Sequence, residues 1–147
     1  MANHNKLHDL QLVFLGSLTL SAAPAAASDW VDARGFDSVT LMVKSNTVTA
    51  AGAGVDFTVE HGDDSTAAGA ALANTATDLV GVSFETVEDA DDDKILGRAG
   101  YVGSKRYVRL VGTGADGAVD ASVDVYAILD LKARSTAPFI GTSVAAT

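Results

Sequence analysis

The clearest pattern in the chain is the regular alternation of apolar and polar positions near its C-terminal end. Apolar residues occupy every second position from 119 to 131, and mostly polar residues occupy the positions between them. The apolar set is Val119, Ala121, Val123, Val125, Ala127, Leu129 and Leu131. A period of two is typical of a β-strand with one buried face. The sequence therefore predicts a long strand here that contributes one face to a hydrophobic core.

A Gly-rich turn connects this strand to the segment before it. Residues 107–111 alternate in the same way, and residues 112–117 contain three glycines and an aspartate. Glycine supplies the positive φ angles that a tight hairpin turn needs. We therefore predict that residues 98–131 form a closing β-hairpin, which requires a second sheet to cover its apolar face.

Weaker alternation predicts the other strands. Strands are expected at 39–44, 55–60 and 79–84, and a shorter strand or turn at 95–100. The segments between them are predicted to be a Gly/Ala turn at 47–54, a turn at 61–65, a loop at 66–78 and a charged loop at 85–94. Seven or eight short strands without a convincing long helix predict an all-β fold, an antiparallel β-sandwich of the Ig-like or jelly-roll-like kind.

The N-terminal apolar run at 10–20 has two interpretations. An apolar run followed by small residues is typical of a secretory signal peptide. Asp9 at its start, Lys6 as the only preceding basic residue and the polar interruptions at 16–19 favour a strand instead, with one face formed by Leu10, Leu12 and Phe14. The run is shorter than the roughly 20 apolar residues of a transmembrane helix.

The length of 147 residues predicts one domain with extended ends. We expect an N-terminal strand or arm at 1–28, a β-sandwich domain at 29–134 and a C-terminal arm at 135–147. The last segment has no periodicity and is interrupted by Pro138. An extended arm of this kind becomes ordered only when something binds it.

Charge and cysteine content exclude several classes of function. The chain has no cysteine, so disulfides, thiol catalysis and zinc–thiolate sites are excluded. Its net charge of −9 argues against a nucleic-acid partner. Residues 1–93 contain 3 basic and 15 acidic residues, whereas residues 94–147 contain 7 basic and 4 acidic residues. Either the two parts form surfaces of opposite charge, or interleaved strands mix the charges.

The only candidate metal site is the acidic run at 85–93. Asp89, Asp91 and Asp93 have the spacing that begins a calcium-binding loop. Lys94 stands where that loop needs glycine, and Gly100 stands where it needs a bidentate glutamate, so a solvated loop is the favoured interpretation.

No catalytic motif is recognised in the chain. There is no G-x-S-x-G sequence, no P-loop and no dinucleotide-binding motif, and the three histidines are scattered. The sequence therefore predicts a protein that is not an enzyme and has no cofactor. If the protein acts by binding, the basic residues that begin the predicted hairpin are the candidates for the contact. The candidates for contact with an acidic partner, with two aromatic residues, are Arg98, Lys105, Arg106, Arg109, Trp30 and Phe139.

Four segments together resemble a known group of proteins. GFDSVTLMVKSNTVT, FTVEHGDDS, GRAGYVGSKRYVRLVGTG and the final strand ending in LDLKAR resemble small capsid-associated proteins of tailed bacteriophages, and GYVGSKRYVRL is the most specific part. The resemblance covers residues 35–134. It implies a head decoration or cement protein on the capsid exterior that binds the major capsid protein and its own copies, often as a trimer, and neither nucleic acid nor a membrane. The Ala-rich N-terminal segment and the long acidic loop depart from the pattern.

Other functions remain open at this stage. A head–tail connector or tail protein would keep the virion context. A secreted carbohydrate- or surface-binding β-sandwich would agree with the signal-like N-terminus, because sandwich loops host such sites without a sequence motif.

Overall fold

The computed structural model describes residues 10–21, 25–73, 75 and 77–131, and in them the chain is almost entirely antiparallel β-structure. The strands are β1 (Leu10–Leu20), β2 (Ala26–Ala27), β3 (Val31–Asp32), β4 (Phe36–Ala50), β5 (Val55–Gly62), β6 (Ala71–Leu72), β7 (Leu79–Phe84), β8 (Ile95–Tyr101), β9 (Tyr107–Gly114) and β10 (Asp120–Leu131). A short 3-10 helix, Ala67–Gly69, lies within the predicted loop.

The strands form two sheets, which confirms the predicted all-β sandwich. The first sheet has the order β1-β10-β4-β8-β7, and the second has the order β2-β9-β5-β6, with β3 also paired to β9. The predicted C-terminal arm and, within the predicted N-terminal arm at 1–28, residues 1–9 and 22–24 lie outside the described residues.

The hydrophobic core lies between the inner faces of the two sheets. Val123, Val125 and Ala127 of β10 are fully buried, as the alternation predicted, and Leu41 of β4 is buried beside them. Leu110 of β9 is fully buried on the second sheet. Because successive side chains of a strand point to opposite faces, the polar residues between these positions form the outer faces of the sandwich.

The predicted closing hairpin is wrong. β9 belongs to the second sheet and pairs with β5, whereas β10 belongs to the first sheet and pairs with β1 and β4. Both edges of β10 are therefore occupied by strands far from it in sequence. The connection at 115–119 carries the chain from one sheet to the other instead of folding it back on itself.

β4 is longer than predicted. It continues to Ala50 through the expected turn at 47–54, because Val48 is buried and pairs with Ala121 of β10. The turn occupies only residues 51–54.

The predicted N-terminal strand is confirmed as β1, an edge strand of the first sheet. Its register on β10 shifts between Phe14 and Gly16, and Gly16 has a φ of +111°. Leu15 is the extra residue of this bulge, so that Leu15 and, after the bulge, Leu18 both face the core. The side chains of Leu10, Leu12 and Phe14 are left on the outer face.

Candidate functional surfaces

Three of the four basic candidates are already paired with carboxylates of the same chain. The side chain of Arg106 binds Asp32 at 2.8 Å, Lys105 binds Asp63 at 2.7 Å, and Arg109 binds Glu60 at 2.7 Å. The last pair is set by the sheet, because Arg109 and Glu60 are directly opposite each other on β9 and β5.

Trp30 also belongs to this internal network. The guanidinium of Arg109 lies 4.5 Å from the centre of the Trp30 ring, in the geometry of a cation–π contact. Both side chains are half-buried. Arg109 and Trp30 therefore bind each other on the outer face of the second sheet. Phe139 lies outside the described residues.

Arg98 is the exception among the basic candidates. It lies on β8 in the first sheet, opposite Met42 of β4 and Ser83 of β7, and its side chain is exposed. Within the described part of the chain it has no ion-pair partner. The expected cluster of four cations is therefore divided between the first sheet (Arg98), the loop after β8 (Lys105 and Arg106) and the second sheet (Arg109).

The acidic part of the sequence, 1–93, and the basic part, 94–147, do not form two separate surfaces, because their strands are interleaved. β9 from the basic half pairs with β5 from the acidic half, and β10 lies between β1 and β4. Carboxylates and cations that are distant in sequence thus become neighbours. Of the two alternatives left open by the sequence, the described residues show mixing.

The acidic loop at 85–94 uses its carboxylates to hold itself against β4. The backbone N–H of Ala51 donates to Asp89 at 2.7 Å, and that of Val48 donates to Asp92 at 2.7 Å. Asp91 is buried and accepts hydrogen bonds from the Glu88 N–H at 2.8 Å and from Lys94 Nζ at 3.1 Å. These bonds satisfy backbone donors at the end of a strand.

The same contacts separate the three calcium candidates. Asp93 binds Lys44 at 2.6 Å, Asp89 faces the Ala51 N–H, and Asp91 points inward to Glu88 and Lys94. Nowhere in the described residues is a group of three acidic or histidine side chains arranged to hold a metal ion. The acidic loop therefore has a structural role in this fold.

The carboxylate of Asp91 makes stability depend on pH in one direction. The hydrogen bond from the Glu88 N–H, aided by Lys94, holds the pKa of Asp91 below its usual value. A carboxylate with a lowered folded-state pKa stabilises the fold above its unfolded pKa of about 3.9, and that contribution is lost as the pH falls through the folded pKa. We expect the urea midpoint of the wild type to be lower at pH 3 than at pH 6, because protonation of Asp91 removes the contribution of its carboxylate.

The isosteric variant Asp91→Asn isolates this contribution. It should be less stable than the wild type at pH 6 and should lose less stability on acidification. Urea titrations of both proteins at the two pH values measure the difference. An equal acid-induced loss in both proteins would show that Asp91 is not responsible.

The outer face of the first sheet carries an apolar region on its β1 side. At the β1 edge, Leu10, Leu12 and Phe14 are 48%, 64% and 55% exposed. The register places Phe14 opposite Tyr126 and Leu12 opposite Ile128 on β10, and the Phe14 and Tyr126 rings lie 5.4 Å apart. The region, here named the outer apolar face, comprises Leu10, Leu12, Phe14, Met42, Tyr126 and Ile128, on three adjacent strands.

A polar band borders the outer apolar face. The Ser17 hydroxyl and the Asn46 amide donate to Asp124, and Lys44 on the neighbouring strand β4 binds Asp93. The hydrogen bond from Ser17 is the largest cause of the lowered pKa of Asp124. β1 itself contains no charged residue between 10 and 20. The protein thus lacks, at this edge, the charges that commonly prevent edge strands from associating.

A cavity of about 290 Å³ opens at one end of the sandwich, between residues 33–39 and 101–106. Its wall includes Tyr101, whose hydroxyl lies 2.9 Å from His61 Nδ1 and accepts a hydrogen bond from the Lys105 N–H at 2.9 Å. Burial raises the pKa of the Tyr101 hydroxyl. These contacts hold the loop after β8 against the sandwich.

The fold and these surfaces define an all-β sandwich with one open apolar sheet face. A scan of protein-family models and a search of curated proteins gave no match for this chain. In the residues that the structure describes, no helix is both long and apolar enough to cross a membrane.

Sequence reasoning missed the outer apolar face as a candidate site. The sequence does contain a signal for it, since the alternation places Leu10, Leu12 and Phe14 on one face of a strand. Which face points outward depends on the bulge at Gly16 and on the position of β1 in the sheet.

Proposed function

We propose that this protein is a non-enzymatic structural component of a virion, a capsid decoration protein of a tailed phage. It would lie on the capsid exterior and stabilise the head by binding major capsid subunits and its own copies. The outer apolar face is the observation that carries the proposal, because a subunit of an assembly buries such a face against its neighbours.

The composition of the outer apolar face supports a role in binding. Phe14 and Tyr126 contribute two aromatic rings, and Met42 lies beside Tyr126 on the next strand. Aromatic residues and methionine are enriched at interface centres, whereas charged residues are depleted there. β1 contributes no charged residue between 10 and 20.

The segment that carries the phage resemblance has a specific place in the fold. GYVGSKRYVRL comprises the end of β8, the loop at 102–106 and the start of β9, and so it crosses from the first sheet to the second. Lys105 and Arg106 in the loop hold Asp63 and Asp32. We interpret the resemblance as one of sandwich architecture. The segment GYVGSKRYVRL does not cover the outer apolar face, which remains available for assembly.

The stabilising role predicts a thermal phenotype for the particle. Heads that lack this protein should release their DNA at a lower temperature than complete heads, and purified protein added back should restore the difference. Dye-detected DNA release during heating measures both. Equal heat resistance with and without the protein would contradict the proposed function.

Two matched variants connect that phenotype to the outer apolar face. Phe14→Asp places a charge on the face and should fail to restore heat resistance. Leu72→Asp places a charge at a position that is 66% exposed on β6 of the second sheet and should restore it. Gold-labelled antibody against the protein locates it, and labelling confined to the tail would favour the connector or tail alternative.

A further inference from the structure

Two exposed charges of opposite sign lie beside the outer apolar face without an ion-pair partner among the described residues. Arg98 on β8 and Asp130 on β10 are both exposed, and neither makes an ion pair with any described residue. Six other ion pairs are formed in this part of the chain, including Lys44–Asp93 on the same face. Two charges that the fold leaves unpaired at the border of an apolar region indicate a partner with complementary charges.

The strand register fixes how the two charges are placed. Thr40 lies on β4, the central strand. Arg98 is one strand to one side, opposite Met42, which is two residues further along β4. Asp130 is one strand to the other side, opposite Ser38, which is two residues back along β4. Each charge is therefore displaced from Thr40 by about 4.8 Å across the strands and about 7 Å along them, in opposite directions.

This arrangement is complementary to a copy of itself. A two-fold axis that lies in the interface, passes over Thr40 and runs at right angles to the line from Arg98 to Asp130 exchanges the two positions. It places Arg98 opposite Asp130 of a second copy, and Asp130 opposite Arg98 of that copy. Closed two-fold dimers make each contact twice in this way.

We propose that the outer face of the first sheet binds the same face of a second copy, through reciprocal Arg98–Asp130 ion pairs around a centre formed by the outer apolar face. Met42, Tyr126 and Ile128 lie next to or between the two charges and would pack against their counterparts. Charged pairs at the border of an apolar centre are the usual anatomy of an interface. Face-to-face packing of two sheets also brings apolar side chains into contact at a sheet separation of about 10 Å.

The available area is sufficient for a stable dimer. The first sheet is about 24 Å wide including its edges. Because the axis passes over Thr40, four residues from the start of β4, the two faces overlap for about 14 Å on either side of it along the strands, which gives about 670 Å² per copy. A standard interface buries about 600–1,000 Å² on each partner. A contact made only by the backbone edge of β1 would provide much less. The area and the charge placement therefore both favour packing through the face.

This inference rests on the proposed assembly role, because it assigns the outer apolar face to contacts between copies. Its test needs only the purified protein. Sedimentation equilibrium of the full chain should show a reversible monomer–dimer system. Arg98→Asp and Asp130→Arg should each weaken the dimer by about tenfold or more, because each change places like charges opposite each other at two symmetric positions.

The double variant Arg98→Asp/Asp130→Arg restores opposite charges and should recover most of the lost affinity. Lys105→Asp is the matched control, since Lys105 pairs with Asp63 of the same chain near the second sheet, and it should leave the dimer unchanged. Far-ultraviolet circular dichroism checks that every variant is folded.

The outcomes of these experiments distinguish a failure of the dimer from a failure of the capsid role. A wild type that stays monomeric at its highest soluble concentration, a trimer, or a double variant no better than either single variant would overturn the two-fold pairing. A dimer with this charge dependence that has no effect on the heat resistance of heads would contradict the capsid role and leave the dimer intact.

Discussion

Replacing Gly97 with alanine is expected to lower the free energy of unfolding by about 4 kcal/mol or more, the range of the most damaging single substitutions. Gly97 lies on β8 at the register shift opposite β4, and its φ of +147° is one that L-residues rarely adopt. A Cβ atom built there would lie 1.9 Å from the carbonyl oxygen of Ser83 and 2.7 Å from Cα of Phe84. Both obstacles are backbone atoms of β7, so β7 and β8 would have to separate. Urea titration followed by tryptophan fluorescence measures the loss.

Gly81→Ala provides a matched control for this substitution. Gly81 also has a positive φ, +60°, but a Cβ atom there would have no other atom within 4 Å. It should therefore cost only about 1–2 kcal/mol, the conformational penalty alone. Because the φ of Gly97 is also less accessible to L-residues than that of Gly81, the difference between the two variants reports the contact with β7 and that conformation together. Equal losses would contradict the close approach of β7 to β8 at Gly97.

Truncation of Leu110 to alanine is expected to be the second large effect, at about 2–5 kcal/mol. Leu110 is fully buried on β9, where it packs in the core between the two sheets. Its removal deletes apolar contacts and leaves a cavity, because β9 is held on both sides by β5 and by β2 and β3 and has little freedom to move inward.

Leu72→Ala is the same substitution on the same sheet at a side chain that is 66% exposed. It should change the free energy of unfolding by no more than about 0.5 kcal/mol. Urea midpoints of the two variants, measured at one protein concentration, give the comparison. A loss at position 110 as small as that at position 72 would contradict the placement of the core.

The stabilities of these variants are linked to the proposed dimer. Association of folded chains adds stability that grows with protein concentration, because only the folded state binds. The Arg98→Asp variant should reduce this dependence while leaving the monomer fold unchanged. Comparison of urea midpoints at two concentrations therefore gives a second readout of the pairing.

Sequence periodicity was sufficient for the strands that face the core. β10 shows this best, since the alternation from Val119 to Leu129 matches the buried positions throughout. The pattern works because a strand has a period of two and the core accepts only apolar side chains. The same reasoning located β5, β7 and β8 and the fold class.

The false hairpin shows what periodicity does not contain. Alternation reports which side chains are buried but not which strand is the neighbour. β9 and β10 each have an apolar face and a Gly-rich connection, which suits a hairpin and equally suits a crossing between two facing sheets. The choice was made by β1, β4 and β5, whose pairing with these strands involves residues distant in sequence.

The pairing of the basic candidates was not visible in the sequence for the same reason. Lys105 and Arg109 are close in sequence, but the carboxylates that hold them are 42 and 49 residues away. Only the register of β9 on β5 brings Arg109 opposite Glu60. Charge counted along the chain therefore overestimated the free positive charge of the surface, and Arg98 alone among the four was left unpaired in the described structure.

The sequence by itself determined that the protein is an all-β sandwich and which side of β10 is buried, because these properties follow from local periodicity. Only the tertiary structure decided which strands are neighbours, which charges are neutralised, and that Leu10, Leu12 and Phe14 face outward beside Tyr126 and Ile128. These properties depend on pairing between distant segments, whose registers bring together residues that no local pattern relates. The proposed assembly surface belongs to this second group.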